Sequence, residues 1–590
     1  MPIIVQKFGG TSVADTQKIL AAARKAIRAQ QQGHQVVMVV SAMGQNTDLL
    51  VDLAHQITDR PDAREMDMLL STGEQVSVAL MAMAIQSLGA KAVSLTGAQI
   101  GIRTDSTHTK ARIHSISTER MRRLLDDGNI VIAAGFQGID DDFNITTLGR
   151  GGSDTTAVAL AAVLKASACE IYTDVDGVYT TDPRLLPAAR RVKQISYDEM
   201  LELASLGAGV MHSRSIEFGK KFHVPIHVRS SFTDIPGTMI VAAAEAPDQA
   251  VCGAALVKDE ARITIEGVPD RPGVSFAVFS KVAARRLAVD MIVQNVGAEG
   301  RANISFTVPK DELPVALEAT QEAARELDAK GVTHDDGVSK VSVVGLGMAR
   351  QTGVAQKMFR ALAETGVNIL AITTSEIKIS ALIRRDQAAT ALRVVHAAFQ
   401  LQREPQGAHV SAPESPLANG QVALEVVRRL QGMEDLTIDE VTLDESQGRV
   451  TIHGVPNTPG VAAGVFEEIA RAGVFVDMIV QSFGGQQSAT ISFTVPQSDL
   501  AKSLQVTEKL AKQLGCRDVT SAAKVAKLSV LGIGIRSNTS VAIRMFQSLS
   551  EAGINVDMMS TSEVRLNVVV EGTKGKEALD VLQKAFAAAR

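Results

Sequence analysis

Hydrophobic and polar positions follow one pattern in roughly the first 245 residues of the chain. Short apolar runs alternate there with Ala-rich stretches of helical period. The apolar runs are at residues 3–8, 36–41, 130–135 and 170–173, and the helical stretches are at residues 15–31, 75–88 and 155–164. Strands that alternate with helices predict an α/β domain in residues 1–245, with a mostly parallel sheet between layers of helices.

From residue 250 onwards the pattern changes to that of small α+β modules. The first module has a strand, a helix, two strands and a helix at residues 262–266, 275–285, 289–296, 302–308 and 310–328. The next repeats the strand, helix and two strands at residues 340–344, 355–364, 369–374 and 377–383. Strand, helix, two strands and helix is the order of a ferredoxin-like unit that lacks its last strand.

The modules are themselves duplicated. Landmarks recur at a constant offset of 187 residues, among them DMIVQ at 290 and 477, ISFTVP at 304 and 491, and TSE at 374 and 561. A constant offset indicates a duplicated segment with almost no insertion or deletion. We therefore expect two pairs of modules, at 250–403 and 421–590, joined by a Pro- and Gly-rich linker at 404–420. The four modules are expected at about 261–330, 339–400, 449–518 and 527–590.

The composition narrows the classes of protein that fit this organisation. The formal charge is −5 without any basic stretch, so we expect no nucleic-acid partner. The three cysteines lie far apart, and neither a disulfide framework nor a metal site is readable. The longest apolar run, residues 76–85, is shorter than the ~20 residues of a membrane span, and the N-terminus does not resemble a signal peptide. We expect a cytoplasmic protein with no membrane partner.

Two glycine-rich segments stand where a strand passes into a helix, which is the place for a phosphate-type ligand. In the first, Lys7 precedes Gly9 and Gly10, and the alternative is a glycine turn beside a structural lysine. In the second, residues 149–156, Arg150 can bind a carboxylate through two hydrogen bonds. Ser153, Asp154 or Thr155 can cap the helix that follows. The alternative is that the segment is only a capped turn and binds no ligand.

A third segment, residues 172–184, follows a strand end, where open α/β sheets bind ligands. It holds three aspartates, an arginine and two of the three tyrosines of the chain, Tyr172 and Tyr179. Two tyrosines in one loop predict contact with a flat adenine. The alternative is a solvated, Asp-rich turn.

Together these motifs carry a family resemblance. KFGGTSV at residue 7, Thr47-Asp48 after SAMG, STGE at 71–74, GRGGSDTTA at 149 and TDVDGVYTTDPR at 173 resemble the aspartokinases, of the amino acid kinase family. The duplicated modules resemble ACT domains, the amino-acid-sensing units of such kinases. Many relatives carry one ACT pair, and two pairs are similar to the cyanobacterial type.

The resemblance implies transfer of the ATP γ-phosphoryl group, with Mg²⁺, to the side-chain carboxylate of L-aspartate. The product would be 4-phospho-L-aspartate, in the first step of lysine, threonine and methionine biosynthesis. It assigns catalysis to Lys7 and Asp154, with no metal-ligating side chain. The implied ATP-binding residues are Lys7, Gly9, Gly10, Ser41, Thr173, Asp174, Tyr179, Asp182 and Arg184. The implied aspartate-binding residues are Thr47, Glu74, Arg150, Gly151, Gly152 and Ser153.

One position departs from the family pattern. Many relatives have a lysine where this chain has Gly209, and Arg184, Arg214 or Lys7 alone could supply the missing charge. His212 is interpreted as structural. The departure keeps open an amino-acid sensor with an inactive kinase half, and another amino acid kinase is the same-class alternative.

The ACT resemblance implies feedback by lysine and threonine, bound at paired modules of a homo-oligomer, expected to be a dimer. A helix N-terminus offers an anion site for the carboxylate of an effector, and polar side chains on the next strand offer acceptors for its ammonium. The sequence leaves open which effector binds where, and whether the second pair is only a scaffold. The expected effector-binding residues are Asp270, Gly273, Val274, Ser275, Asp290, Gln294, Asn295, Asn457, Gly460, Val461, Asp477, Gln481 and Ser482.

Overall fold

The fold is described from a computed structural model of the chain. The structure describes residues 1–207, 209–285, 287, 289–295, 300–405, 407, 433–434, 436–484, 488–535 and 540–589. The linker expected at 404–420 and the start expected for the second pair at 421 lie outside the described residues, apart from 404, 405 and 407. Within these ranges, an N-terminal α/β domain is followed by four α+β modules.

A mostly parallel sheet organises the N-terminal domain, as the alternating pattern predicts. Eight strands of the described residues lie in the order β10-β12-β11-β9-β1-β2-β6-β3, and only the β11–β12 pair is antiparallel. These strands are β1 Ile3–Phe8, β2 Gln35–Val40, β3 Ala92–Leu95, β6 Ile130–Ala134, β9 Ala168–Thr173, β10 Gln194–Ser196, β11 Ile226–Ser230 and β12 Thr238–Val241. A smaller sheet contains β4 Ile102–Thr104, β5 Ile113–Ile116, β7 Gln137–Ile139 and β8 Ile145–Thr147.

Helices connect and cover the strands of this domain. They are α1 Thr16–Gln31, α2 Asn46–Ile57, α3 Ala63–Ser87, α4 Gly97–Ile100, α5 Glu119–Asp126, α6 Gly152–Leu164, α7 Tyr197–Ser205 and α8 Ser213–Phe222. Every residue of α6 is buried. Its Gly, Ala, Ser and Thr residues let it approach the sheet closely on one side and α8 on the other. The most buried helix of the domain therefore begins at the glycine-rich segment around Arg150.

One helix in the described ranges, α3, has the length and apolarity of a membrane span. Its most apolar window has a mean hydropathy of 1.4, and 56% of that window is buried inside the molecule. A buried apolar helix is typical of a protein core. The helix begins at Ala63 rather than at residue 75, because Asp62 caps it and its first turns are too polar to show a helical period.

The four modules share one continuous antiparallel sheet. Its strands are β13 Gly253–Pro269, β14 Asp290–Asn295, β15 Arg301–Pro309, β16 Gly331–Val344, β17 Ala371–Thr374, β18 Lys378–Arg384, β19 Thr437–Pro456, β20 Ile479–Gly484, β21 Ser488–Pro496, β22 Asp518–Ile533, β23 Met558–Thr561 and β24 Arg565–Glu571. The described helices are α9 Val274–Ala284, α10 Leu313–Glu326, α11 Val354–Ala363, α12 Ala388–Ala398, α13 Val461–Arg471, α14 Leu500–Leu514, α15 Ser540–Glu551 and α16 Gly575–Ala585.

The prediction that each module lacks its last strand is wrong. Strands β13 and β16 are long enough to serve two modules each. Residues 260–266 of β13 pair with 331–338 of β16 and complete module 1, whereas residues 253–257 pair with 340–344 and complete module 2. In the second pair, β19 and β22 are shared in the same way. Each module thus has the four-stranded ferredoxin-like order, and the strand that closes module 2 precedes module 1 in the chain.

Modules from different pairs face one another. Strand β17 of module 2 pairs with β20 of module 3 in antiparallel register, with Ile372 opposite Gln481. One apolar core joins modules 2 and 3, where the rings of Phe359 and Phe466 are 5.6 Å apart. A second core joins modules 1 and 4, where the rings of Phe279 and Phe546 are 5.8 Å apart. The duplication is therefore expressed as two equivalent module pairings, 1 with 4 and 2 with 3, within a single chain.

Candidate active site and effector sites

The predicted catalytic pair is formed in the N-terminal domain. Lys7 near the end of β1 and Asp154 in the first turn of α6 form an ion pair with an Nζ–Oδ1 distance of 2.5 Å. Both side chains are only 12% exposed. An ion pair in so little solvent is held firmly in place, and it fixes the lysine ammonium between the glycine turn after β1 and the start of α6.

The glycine turn after β1 needs its glycines for a close approach. A Cβ atom on Gly10 would lie 2.7 Å from the carbonyl oxygen of Ala42. The Gly44 N–H donates to the carbonyl of Gly10 at 3.0 Å, so this turn is packed against the loop after β2. Ser41, an expected ATP-binding residue, begins that loop. The Gly9 N–H donates to the carbonyl of Tyr172 at 3.3 Å, so it differs from the free donor to a phosphate that was expected at this position.

A buried carboxyl group lies on the other side of the same loop. Glu74 in α3 is 4% exposed and accepts a hydrogen bond from the Ala42 N–H through Oε1 at 3.0 Å. Its Oε2 is buried and has no hydrogen-bond partner among the described residues. Burial raises the pKa of Glu74 to about 7, and the hydrogen bond from Ala42 opposes that shift. Such a carboxylate is suited to a cationic ligand group, which would satisfy the free oxygen.

The segment that begins α6 brings the expected aspartate-binding residues together. Arg150 is exposed, Gly151 and Gly152 start the helix, and Ser153 is buried beside Asp154. Thr47, another of these residues, lies half-buried in the first turn of α2.

His212 packs against this segment. A Cβ atom on Gly151, whose φ is 74°, would lie 2.4 Å from the Cβ of His212. The Nδ1 of His212 accepts a hydrogen bond from the Arg214 N–H and caps α8, and burial lowers the pKa of the imidazole. These contacts agree with the structural interpretation of His212.

The third segment follows β9, as predicted, and most of its polar groups are paired locally. The Thr173 hydroxyl donates to Asp174 at 3.1 Å, and the Tyr179 hydroxyl donates to Asp176 at 2.8 Å. Desolvation and the hydrogen bond to Asp176 raise the pKa of Tyr179. The segment is thus a folded polar loop at the carboxyl end of the sheet, beside the turn after β1.

The expectation that two tyrosines contact adenine is wrong for Tyr172. This side chain is 3% exposed and stacks on Phe8 with the ring centroids 4.7 Å apart. It belongs to β9, which ends at Thr173, and its ring joins the core. Asp182 and Arg184 form an exposed ion pair at 2.8 Å, whose hydrogen bond lowers the pKa of the aspartate. Tyr179 is the tyrosine of this segment that remains available to a nucleotide.

The structure also bears on the missing charge at Gly209. Arg184 is 86% exposed. Arg214 is 16% exposed and forms an ion pair with Glu434 at 2.5 Å. Of the three cations considered, Lys7 is the one placed between the glycine turn and α6.

Comparison with known proteins agrees with this arrangement. The amino acid kinase family profile matches residues 2–230, and the ACT domain profile matches residues 341–399, 450–509 and 528–586. The chain is 50% identical over 403 residues to an aspartate kinase of Pseudomonas putida, covering 68% of this chain and 98% of that relative. The chain belongs to the aspartate kinase family.

Solved aspartate kinases share the fold. The structure of aspartate kinase from Synechocystis is 40% identical and covers 99% of this chain and 98% of its own, with a TM-score of 0.52. Escherichia coli aspartokinase III in complex with aspartate and ADP is 26% identical and covers 67% of this chain and 99% of its own, with a TM-score of 0.57. The chain therefore has the amino acid kinase fold followed by ACT domains.

The expected effector residues of the first ACT module meet module 4. Asp270 Oδ1 accepts a hydrogen bond from Asn555 Nδ2 at 2.7 Å, and Gln294 Nε2 donates to the carbonyl of Val556 at 2.9 Å. The Ser275 hydroxyl donates to Gln294 Oε1 at 2.7 Å. The sequence could not show that residues of module 4 complete this site.

The duplicated site of module 3 is completed by module 2 in the same way. Asn457 Oδ1 accepts a hydrogen bond from Asn368 Nδ2 at 2.9 Å, and Gln481 Nε2 donates to the carbonyl of Ile369 at 3.2 Å. Ala462 stands where module 1 has a serine, and Gln481 Oε1 is buried without a partner among the described residues. The two sites thus share the same arrangement of hydrogen bonds across a module junction. They differ at Asp270, where module 3 has Asn457, and in the partner of the glutamine side-chain oxygen.

Both sites lie at the start of a helix, as expected. Gly273 and Gly460 have φ of 92° and 90° and immediately precede Val274 of α9 and Val461 of α13. Glycine is suited to this left-handed conformation. Gly273 lies beside Ser550 of module 4 and Gly460 beside Ala363 of module 2, so each helix begins at a module junction, where its N-terminus would favour an anion.

The two expected aspartates are already paired. Asp290 contacts the ammonium of Lys340 at 2.5 Å, and this lysine is 1% exposed. Asp477 contacts Lys527 at 2.5 Å in the duplicate. The sequence predicts Asp290 and Asp477 as free acceptors for the ammonium of an effector, whereas both are ion-paired. Gln294 and Gln481 lie at the module junctions and are better placed to contact an effector. Ser482 is buried, and the side chain of Asn295 lies outside the described residues.

Sequence reasoning missed a cavity between ACT modules. A cavity of about 240 Å³ lies between modules 2 and 3 and is lined by residues 351–356, 374–376 and 474–477, among others. The equivalent cavity between modules 1 and 4 measures about 70 Å³. The recurrence of TSE at 374 and 561 was the available signal, because both copies line these cavities in part.

Proposed function

We propose that this aspartate kinase transfers the γ-phosphoryl group of ATP to the side-chain carboxylate of L-aspartate. The product is 4-phospho-L-aspartate, and the reaction is the first step of lysine, threonine and methionine biosynthesis. The observation that carries the proposal is the Lys7–Asp154 ion pair at the glycine turn after β1. Phosphoryl transfer needs positioning and charge neutralisation, which a fixed ammonium beside the glycine turn supplies.

ATP is expected to lie along the carboxyl ends of β1 and β9. Lys7 neutralises the transferring phosphoryl group, and the N–H group of Gly10 binds one of its oxygens, whereas the Gly9 N–H donates to the carbonyl of Tyr172. Ser41 and the loop after β9 hold the rest of the nucleotide, with Thr173, Asp174, Tyr179, Asp182 and Arg184. The ADP complex of Escherichia coli aspartokinase III supports the use of this nucleotide class.

L-Aspartate is expected between the loop after β2 and the start of α6. The free Oε2 of Glu74 accepts the α-ammonium, Arg150 binds a carboxylate, and Thr47 and Ser153 add hydrogen bonds. The backbone of Gly151 and Gly152 lets the substrate approach closely. The substrate carboxylate is ionised at neutral pH and needs no general base.

Mg²⁺ fits this site as a companion of the nucleotide. Within the described residues there is no group of three metal-ligating side chains, and Mg²⁺ commonly binds through substrate phosphates, waters and one or two carboxylates. Asp154 is the carboxylate placed to support it. When bound, the metal would neutralise phosphate charge.

Formation of aspartyl hydroxamate from aspartate, ATP and hydroxylamine tests the catalytic proposal. The expected result is ATP-dependent product with aspartate and none with glutamate or acetylglutamate. Product from one of the latter alone would support another amino acid kinase. No product at all, together with a melting temperature raised by lysine, would support the sensor with an inactive kinase half.

We further propose feedback inhibition by lysine, threonine or both at the two ACT sites. The supporting observation is that Gln294 and Gln481 each span a module junction at equivalent positions. A ligand that replaces such a bond changes how the two modules fit together. Escherichia coli aspartokinase III has been solved in complex with lysine and aspartate, which supports lysine as one effector.

Inhibition curves with lysine, threonine and the mixture test the regulatory proposal. We expect at least one of the two to inhibit, and Gln294→Ala and Gln481→Ala to raise the half-inhibitory concentration without changing the uninhibited rate. If neither amino acid inhibits, the ACT modules are a scaffold. Dimer formation also remains a prediction, because the described module pairings occur within one chain.

A further inference from the structure

A short segment from the regulatory half of the chain is embedded in the kinase domain. Met433 is fully buried in the kinase core, and its N–H donates to the carbonyl of His114 at 3.4 Å. Glu434 follows it, with a side chain 7% exposed. Its carboxylate accepts the Ile113 N–H at 2.8 Å and forms two hydrogen bonds with the guanidinium of Arg214, at 2.5 and 2.6 Å.

Arg214 in turn holds the backbone that leads to the aspartate-binding segment. Its guanidinium donates to the carbonyl of Leu148 at 2.6 Å and to that of Ala111 at 2.7 Å. Leu148 directly precedes the turn at residues 149–151, which presents Arg150. Both glycines of that turn have positive φ, at 76° and 74°. A turn with glycines on either side of Arg150 depends on its neighbours for a fixed position.

The geometry of the guanidinium requires the carboxylate. A planar guanidinium that donates to two carbonyls and to both oxygens of one carboxylate has a single orientation. Without the negative charge, a side chain that is 16% exposed would carry an unbalanced cation and would turn towards solvent. A cavity of about 290 Å³ lies beside it, lined in part by Arg150, His212 and Glu434, and gives it room to turn.

We propose that Glu434 is a positioning residue for aspartate binding. Through Arg214 it fixes the carbonyl of Leu148, and the turn that follows then directs Arg150 to the substrate carboxylate. This inference rests on the role that the proposed function gives Arg150. The regulatory half thereby supplies one group to the organisation of the substrate site, from outside the kinase domain.

The variant Glu434→Gln tests the proposal in the full-length enzyme. We expect the KM for aspartate to rise about tenfold, because a small displacement of a binding group has a large effect. The kcat and the KM for ATP should stay within about twofold, since the nucleotide contacts are untouched. The double variant Arg214→Gln/Glu434→Gln should match Arg214→Gln alone, because both act through one path.

Glu245→Gln is the matched control. Glu245 forms an ion pair of the same type with Arg190 at 2.5 Å, with a side chain 6% exposed, and contacts none of the aspartate-binding residues. It should lower the melting temperature without raising the KM for aspartate. If Glu434→Gln raises that KM no more than Glu245→Gln does, Glu434 is only structural and the proposal is wrong.

Two further variants keep the result decisive. Should Glu434→Gln fail to fold, Glu434→Asp keeps the charge with a shorter reach, and a KM for aspartate equal to that of the wild type would overturn the proposal. Arg150→Ala distinguishes the proposed aspartate-binding role of Arg150 from the positioning role of Glu434. An unchanged KM for aspartate in Arg150→Ala would contradict the proposed function, whereas a raised KM there with no effect of Glu434→Gln would contradict only the positioning role.

Discussion

Glu74 shows how one buried carboxyl group can bind a substrate and weaken the free protein. Its pKa of about 7 means that near neutral pH the group is only partly ionised, because burial opposes the charge. The α-ammonium of aspartate would favour the ionised form. Binding of the substrate should therefore release a proton at the lower end of the neutral range.

We expect the KM for aspartate to rise as the pH falls below about 7, because protonated Glu74 cannot bind an ammonium. Measurement of KM from pH 6 to 8.5 in the wild type and in Glu74→Gln checks this. The variant should have a raised KM that no longer changes in this range. A wild-type KM that is constant across it would show that Glu74 does not titrate in the aspartate site.

The same pKa has a consequence for stability. Because folding raises the pKa of Glu74, the folded protein binds this proton more tightly than the unfolded chain does. The contribution of the proton to folding stability is fully present below the unfolded pKa of 4.5 and is lost as the pH rises through about 7. Glu74→Gln should therefore raise the melting temperature of the ligand-free enzyme at pH 8 and have little effect at pH 5. Scanning calorimetry at both values measures the difference.

Lys7 carries the largest expected kinetic effect. Lys7→Ala should lower kcat by at least about a thousandfold, since it removes the charge aimed at the transferring phosphoryl group. Lys18→Ala is the control, because Lys18 lies on the exposed side of α1 and pairs with Asp15 at 3.7 Å. Effector-induced shifts of the melting temperature should survive in both variants, and their loss in Lys7→Ala would indicate a folding defect.

At the scale of elements, the first turn of α13 distinguishes the second effector site from the first. The Ser275 hydroxyl donates to the side-chain amide oxygen of Gln294 in module 1. Ala462 has no such donor, and the side-chain amide oxygen of Gln481 has no partner among the described residues. Ala462→Ser should engage Gln481 and raise the half-inhibitory concentration of the effector bound there by about threefold to tenfold, which is the effect of one hydrogen bond.

Ser275→Ala is the matched reverse change in module 1. It should free Gln294 and lower the half-inhibitory concentration of the effector bound at that site. Inhibition curves with lysine and threonine measure both variants. Curves of Ala462→Ser that superimpose on the wild type would show that Gln481 is not an acceptor for an effector.

The elements also show what the sequence could predict. The constant offset of 187 residues predicts two equivalent pairs. The family resemblance implies that Lys7 and Asp154 act together, and the structure brings them into an ion pair. The last strand of each module was missed because β13 and β16 each serve two modules, and periodicity shows a strand without showing its partners. Tyr172 lies within the strand expected at 170–173, but that pattern alone did not show that its ring would stack on Phe8.

At the scale of the whole molecule, one buried cluster joins three parts of the chain. Glu202 of α7 in the kinase domain is fully buried and pairs with Lys378 of module 2 at 2.9 Å. The same carboxylate accepts the Glu563 N–H of module 4 at 2.8 Å. Burial raises the pKa of Glu202, and Lys378 opposes the shift. The carboxylate of Glu202 therefore connects the kinase domain to module 2 through Lys378 and to module 4 through the Glu563 N–H, so both module pairings contact the kinase domain at this point.

Lys378→Met should lower the free energy of unfolding by about 3–5 kcal/mol at pH 8.5, because it leaves a buried carboxylate without its cation. The loss should be smaller at a lower pH such as 6, because burial raises the pKa of Glu202 and favours its uncharged form. Lys524→Met, which removes an exposed pair with Glu445, is the control and should have little effect at either pH. Equal losses at both pH values would show that Glu202 does not titrate.

The pairing of modules 1 with 4 and 2 with 3 takes place along one polypeptide. Two copies of a regulatory segment that meet as separate chains would come apart on dilution, whereas linked copies meet at an effective concentration that dilution does not change. The assembly of the four modules should therefore be the same at nanomolar as at micromolar enzyme. Because both copies belong to one polypeptide, they are always present at a ratio of one to one. Each copy is therefore free to diverge in the ligand that it binds.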